Sequence, residues 1–443
     1  MSNPVTARIA EQHASAARVL SARLPGAARR SAAMEALAVA GLPGSRDENW
    51  KYANLRPLER ASFTPAALTP PAGGADAALS AALPARLEGF ARCVFVDGVF
   101  APALSDAPGA GPARFTTLGS RGDDRDAQPT ALVSRRELGV DQRFALLNEA
   151  FATDGAAIDV GAADRAARLE LIFIASAEGQ VGASYPRVEL RLEPRGQLLL
   201  IERHVSSGAA ASFITSAVSA EIGRGAALDH YRLQELSSRA ILFDTLTATL
   251  AQDASYRLHA LGSGAAAARS TLSVRLAGER ARLALSAAAL GDRQQVQDTY
   301  ALVEHLAPDA RTEETFRGIS AGRARVAFNG KIVVAREAHG TDSRQSLRGL
   351  LAGPEAEIDV RPQLEIYTDD VRCSHGATAG KLDDNMLFYL LSRGLDRDSA
   401  QRALKWAFLG DVIARIEVPA LRRQIEERFA GQMQDGAALR ELI

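Results

Sequence analysis

Cys373 and His375 are the two side chains in this 443-residue sequence best placed to do chemistry. They stand two apart in the run RPQLEIYTDDVRCSHGATAGKLDD (361–384), and on a strand that spacing sends both from the same face. A thiolate and an imidazole converging on one point suit a soft or borderline metal such as iron or zinc. Two ligands do not close a metal site. The chain has one other cysteine, Cys93, so a second chain is the natural source of further donors. The plainer reading is a small buried cysteine beside a surface histidine, and from the pair alone it is the stronger of the two.

Other groupings promise less. Asp369 and Asp370 are neighbours, and on a strand neighbours face opposite ways, so the pair reads as turn or surface. His339, Asp342 and Ser343 are the ingredients of a hydrolase triad, but triad members come from separated loops and Ser343 does not stand in a G-x-S-x-G elbow. Without a G-x-x-x-x-G-K-[ST] run the chain has no P-loop for ATP. His204, His230, His259 and His305 lie scattered among strands and read as structural. The aromatic and charged cluster Glu48, Trp50, Lys51 and Tyr52 follows a Gly/Pro break and reads as a packing anchor for N-terminal helices.

The elements that position these residues fall into three parts: 1–153, helical with variable connections; 154–380, strands; and 381–443, helical. Helical spacing appears in Ile9, Ala16, Val19 and Leu20, and again in Met34, Leu37 and Ala38, before Gly41, Pro43 and Gly44 break it. Stretches 64–84 and 119–129 read as mobile connections, and ARCVFVDGVF between them as a hairpin turning on Asp97-Gly98. Residues 143–153 read as a helix. From about 157 to 375 the period becomes two, as in Val188/Leu190/Leu192, Val218/Ala220/Ile222, Leu272/Val274/Leu276, Ile241/Phe243/Thr245 and Ile358/Val360. Glycines from Gly179 to Gly353 punctuate the series. Alternation alone leaves sandwich, barrel and solenoid open, since no strict repeat is visible. After Gly380, Asp383 or Asp384 and then Asp396 or Asp398 can cap two helices, Gly394 can stop the first, and Pro419 can start a third.

Bulk composition narrows the classes. A net charge of −1 gives no electrostatic case for nucleic acid or an anionic membrane. Only Lys51, Lys331, Lys381 and Lys405 of the 52 basic residues are lysine, a bias that reads as codon usage. Two cysteines exclude a disulfide framework and a Cys-rich metal site built from one chain. The N-terminus has no apolar h-region, and no run approaches the ~20 residues of a membrane helix. A cytoplasmic protein is expected.

Taken together, several segments resemble the SufB/SufD family, scaffolds of the SUF iron–sulfur cluster assembly system. The most specific is CSHGAT followed by LFYLLSRG within 361–395. Glu48-x-Trp50-Lys51-Tyr52 is similar to the N-terminal signature of the SufD branch. LNEAFATDGAAIDV (147–160) and NGKIVVAREAHGTDSRQSLRGLLAG (329–353) resemble the segments entering and closing the family's core. Two cysteines and the W-K-Y signature favour the SufD branch over the SufB branch, which usually has more cysteines. The resemblance implies a mainly β chain: a right-handed parallel β-helix flanked by N- and C-terminal helical regions.

It also implies a non-catalytic scaffold that pairs with the paralogue SufB through the β-helix and engages the ATPase SufC through C-terminal helices. That assembly would support de novo cluster formation and iron acquisition. The family's interface Cys and His fall on Cys373 and His375, implying iron or a transient cluster at the paralogue interface and no tightly bound cofactor in the chain alone. For SufC the expectation falls on 384–416, particularly Leu387, Phe388, Tyr389, Trp406 and Phe408, with removal of residues from 381 onward leaving the β core folded. No G-x-G-x-x-G supports a flavin, and that question stays open, as does a homodimer of the isolated chain. The readings set against this one are a SufB-type scaffold, a β-helix carbohydrate-active enzyme such as a pectin lyase, and an interaction module unconnected with clusters.

Overall fold

The computed structural model describes residues 4–23, 26–44, 47–66, 77–106, 112–120, 141–176, 182–209 and 211–433. Its helices are α1 (Pro4–Arg23), α2 (Ala27–Ala40), α3 (Ala77–Ala82), α4 (Arg143–Phe151), α5 (Asp384–Ser392), α6 (Arg397–Ile413) and α7 (Pro419–Gln432). The strands form two sheets. The first runs β2 (Val99–Phe100), β1 (Ala91–Val96), β5 (Ala167–Ala175), β8 (Gln197–Ser206), β10 (Ala227–Glu235), β12 (Ser255–Gly262), β14 (Arg282–Gly291), β16 (Arg311–Ser320), β18 (Thr341–Leu351) and β20 (Val371–Gly380). The second runs β19 (Glu357–Ile366), β17 (Arg325–Val334), β15 (Val296–His305), β13 (Ala267–Leu276), β11 (Ile241–Leu250), β9 (Phe213–Ile222), β7 (Arg187–Leu192), β4 (Ala156–Val160) and β3 (Ala113–Thr117), with β6 (Ala183–Ser184) beside β9.

From β7 onward consecutive strands alternate between the sheets, and all their pairings are parallel. The chain therefore coils, two strands to a turn, into a parallel β-solenoid. This settles the choice that alternation left open.

A ladder of turns holds one edge of the coils together. Arg195, Gly225, Asp253, Arg280, Asp309 and Gly340 all have positive φ. Each donates its backbone N–H to a carbonyl in the next turn along: Arg224, Gln252, Glu279, Pro308, His339 and Asp370. Coil lengths follow from the spacing of these residues, 30, 28, 27, 29 and 31 along the column. Only two of the six are glycine, and the coil length varies. A strict sequence repeat is invisible because the repeat is written in backbone conformation.

Between the sheets lies a continuous apolar core. Leu198, Leu228, Tyr256 and Leu283 stack in register along one inward column, facing residues such as Leu246, Leu272 and Ala301. The outer faces are covered too. α1, α2 and α4 bury Phe213 and Phe243 of the second sheet beneath Trp50, Phe144 and Phe151. α6 and α7 bury Tyr231, Leu233, Leu261 and Ile319 of the first beneath Leu409, Val412, Ile416, Ile425 and Phe429. Strand burial consequently runs unbroken through much of the core, which blurs the two-residue period.

Local chemistry sets the element ends. Asp97 and Gly98 both have positive φ and join β1 to β2 as the expected hairpin. Asp383 caps α5 through the amides of Asn385 and Met386, Asp396 caps α6 through Ser399, and Gly394 stops α5 at φ +94°. Pro419 occupies the first turn of α7. Ile9, Ala16, Leu20, Met34 and Leu37 are buried as their spacing suggests, whereas Val19 and Ala38 face outward and Ala33 takes an inward position instead.

Of the stretches read as mobile connections, 64–84 contains the helix α3 at Ala77–Ala82, while residues 67–76 and 121–129, and Gly179, lie outside the described residues. Removal of residues from 381 onward would uncover an apolar sheet face, which α6 and α7 cover and to which the C-terminal region carries the ion pairs Arg317–Asp411 and Arg415–Glu313.

The turn ladder makes a paired prediction. Gly225→Val forces a β-branched residue into the left-handed region and should lower unfolding free energy by about 1–2 kcal/mol, since the space at Gly225 is otherwise open. Arg195→Gly, at an exposed rung with the same backbone, should leave stability unchanged or raise it. Equal losses in urea denaturation would refute the ladder.

Candidate metal and partner site at the open end

β19 and β20 are the last strands of their sheets, and among the described residues neither is paired on its outer side. Both offer ten residues of free edge. Cys373 and His375 lie on β20, on the inward side of this last coil. Cys373 continues the column Leu283, Thr312, Ser343, and His375 continues Leu285, Glu314, Gln345. With no coil beyond them, inward side chains reach solvent: Cys373 is half-buried and His375 exposed. Burial raises the Cys373 thiol, as does the nearby charge of Asp342, while a backbone hydrogen bond at Ser343 opposes them.

Cys93 cannot join them. It is buried in β1, eight strand spacings away in the same sheet, or roughly 40 Å at about 4.8 Å per spacing. Burial pushes its thiol up to about 12. Among the described residues no three His, Cys, Asp or Glu side chains gather as a metal site. Among the described residues the donor set at the open end is incomplete.

Directly beneath this pair the interior turns polar. Ser343, Gln345 and Glu314 are buried, and Ser343 Oγ, Gln345 Oε1 and Glu314 Oε1 find no partner among the described residues. Gln345 Nε2 donates to Glu314 Oε2 at 2.6 Å and to the Gly330 carbonyl at 3.0 Å. Gly330 matters here, because a Cβ at that position would lie 2.8 Å from both Glu314 oxygens. Burial pushes the Glu314 carboxyl up to about 7, Gln345 only partly offsetting it.

Sequence reasoning missed Glu314 and Gln345. The available signal was a carboxylate and an amide in the inward phase of β16 and β18, where the alternation calls for apolar residues. It also missed a second polar cluster deeper in the solenoid, where Arg232 bridges Glu202 and Asp244.

The remaining candidates separate by exposure. Phe388 and Tyr389 are exposed at 73% and 55%, beside Met386 at 59%. Leu387 is turned inward, and Trp406 and Phe408 are half-buried against the cluster that joins α6 and α7 to the sheet. Of seven large apolar side chains exposed among the described residues, five lie between Ile366 and Tyr389, which makes this end the sticky one.

Trp50 is the anchor of its signature: 2% exposed, packed on Phe144 and Phe243, with the Arg269 guanidinium over its ring and its indole N–H bonded to Asp141. Glu48 is exposed and pairs with Arg361 of β19 at 2.7 Å, and Lys51 sits over the half-buried Tyr52 ring. Asp369 and Asp370 form an exposed turn. His339 is exposed and bonded to Thr368 while Ser343 points into the core, so no triad forms. His204 and His230 bond Glu202, His305 bonds Thr312, and His259 stacks on Tyr231, all structural arrangements.

Comparison with known proteins bears on this end directly. The family model described as the SufBD core domain of SUF system FeS cluster assembly matches residues 173–408, from β5 to α6. The chain belongs to the SufBD family.

A SufBD relative, the iron–sulfur cluster assembly protein SufD of Escherichia coli, is 32% identical over 400 residues covering 90% of each chain. An iron–sulfur cluster assembly SufBD family protein of Synechocystis is 27% identical over 419 residues, 90% of this chain and 89% of that one. A chloroplastic protein of Arabidopsis thaliana is 28% identical over 252 residues, 56% of this chain and 53% of that one. SufBD membership gives this chain a role in iron–sulfur cluster assembly. Among the described residues, no helix is long and apolar enough to cross a membrane.

The polar interior generates a pH prediction. Glu314 binds its proton more tightly folded, at about 7, than at its ordinary 4.5. Stability from this group is therefore fully present below about 4.5 and falls as pH rises through 7. Glu314→Gln should thus stabilise the protein at pH 8 by up to about 3 kcal/mol, with the advantage vanishing near pH 4.5. A pH-independent difference in thermal melting would contradict this.

Proposed function

We propose that this chain is the SufD-type scaffold of a SUF complex, itself without catalytic activity, pairing with a SufB paralogue through its last coil and with a SufC ATPase through α5. The reading is carried by one observation: the two free edges of β19 and β20 flank a Cys–His pair whose donor set is incomplete among the described residues. A second solenoid adding strands to both edges continues the two backbone ladders, as in β-augmentation. The same step places its side chains over the inward face where Cys373 and His375 sit.

The pair then acts on iron or a nascent cluster as cargo, with His375 a neutral nitrogen donor and Cys373 a thiolate donor. Burial holds Cys373 in its thiol form in the lone chain, and a metal is what would displace that proton. Support for the SufC contact is the exposed apolar surface of Met386, Phe388 and Tyr389, on a helix packed against α6. A second copy of this chain presents the same edges, so a homodimer is the expected assembly when the paralogue is absent.

Two experiments test this. His375→Ala should abolish or strongly reduce cluster maturation in a strain relying on this pathway. Maturation at the wild-type level would remove the cargo role. Phe388→Asp combined with Tyr389→Asp should eliminate co-purification of the ATPase while thermal melting stays within a few degrees, since both side chains are exposed. Undiminished recovery of the ATPase would move its docking surface elsewhere.

A further inference from the structure

Six carboxylates are buried among the described residues: Glu149, Glu170, Glu202, Asp244, Asp298 and Glu314. Five are matched by arginine. Glu149 pairs with Arg187, Glu170 with Arg92 and Arg203, Glu202 and Asp244 with Arg232, and Asp298 with Arg269. Glu314 has only the neutral amide of Gln345. Among the described residues arginine neutralises the buried carboxylates as a rule, and the exception lies in the coils just below the open end.

The exception has company. Gln345 Oε1 and Ser343 Oγ are buried and, like Glu314 Oε1, have no partner among the described residues. Ser343 is 0% exposed, Glu314 1% and Gln345 4%. All three side chains leave the inward face of adjacent strands, since Thr312 pairs with Ser343 and Glu314 with Gln345. Only the last coil, with the exposed His375 in register above Gln345, separates them from solvent.

We propose that Glu314, Gln345 and Ser343 form an oxygen-donor site for a divalent cation, entered from the open end past His375. A carboxylate, an amide carbonyl and a hydroxyl are hard donors, suited to ferrous iron or manganese carrying its own water rather than to a thiolate-held cluster. A cation there supplies the positive charge that arginine supplies at the other five carboxylates. It also gives the three orphan oxygens their partners. Gly330 keeps the opposite wall clear of the carboxylate. The site deepens the proposed function, resting on that reading only for the identity of the cargo as ferrous iron. The donors are this chain's own.

The test is Mn(II) binding to the purified full-length chain, followed by the loss of the free-ion EPR signal. Wild type should bind one Mn(II). Glu314→Gln, which keeps size and removes charge, and Gln345→Met, which keeps length and removes the amide, should each weaken binding at least tenfold. His375→Ala should retain it. Absence of Mn(II) binding by wild type, or equal affinity in Glu314→Gln with the fold intact by thermal melting, overturns the site. Loss of binding in Glu314→Gln together with normal cluster maturation in His375→Ala leaves the site standing and defeats the cargo reading. Unchanged binding in Glu314→Gln with maturation lost in His375→Ala does the reverse.

Discussion

Parallel pairing between successive coils is the constraint from which the rest of this molecule follows. Each strand bonds the strand one coil earlier and one coil later, so any inward residue belongs to a column running the length of the solenoid. A column is stable when its members can stack, and most here are leucine, valine or alanine. The ladder has two ends, and they are treated differently. At the start, the hairpin β1–β2 and the antiparallel strand β3 close both sheets. At the other end the chain simply leaves through a turn into α5, and two ten-residue edges keep their unpaired backbone groups. Free edges of that length invite another strand unless something guards them. Pro362 in β19 removes one donor, but the remainder of the edge stays available.

Helical ends stabilise the coil and also free its tip. N-terminal helices lie on the outer face of one sheet and C-terminal helices on the outer face of the other, giving three apolar layers around a two-walled core. Burial of whole faces explains why a chain with little aromatic content supports so long a solenoid. It also concentrates exposed apolar surface at a single place, between Ile366 and Tyr389, next to the free edges. Glu48 reaches the same edge through its pair with Arg361, so the anchor formed by Trp50 ties the N-terminal region to the last coil as well.

The polar interior is arranged by position. Deep in the solenoid, buried carboxylates are satisfied by arginine and histidine within the chain, as befits groups that water never reaches. Toward the open end the matching cation disappears, and the last members of two inward columns are Cys373 and His375. A gradient from self-satisfied to unsatisfied polar groups is expected where a folded chain leaves room for something else. It coincides with the last coil of the described solenoid, where the inward-facing His375 is exposed.

By itself the sequence determined the class of each region, the hairpin at Asp97-Gly98, the capped helices after Gly380, and the placing of Cys373 and His375 on one face. Those are local properties, set by side-chain period, turn chemistry and caps within a few residues. Motif resemblance then supplied the solenoid that alternation could not choose. Tertiary structure alone decided which strands stack in register. It put Cys93 at the far end from Cys373, Leu387 inward but Phe388 outward, and Glu314 beneath His375. The physical reason is that coils of 27 to 31 residues, closed by left-handed arginine and aspartate as well as glycine, leave no fixed period to read. A column is made of residues about thirty apart, and which ones share it depends on the length of every turn between them.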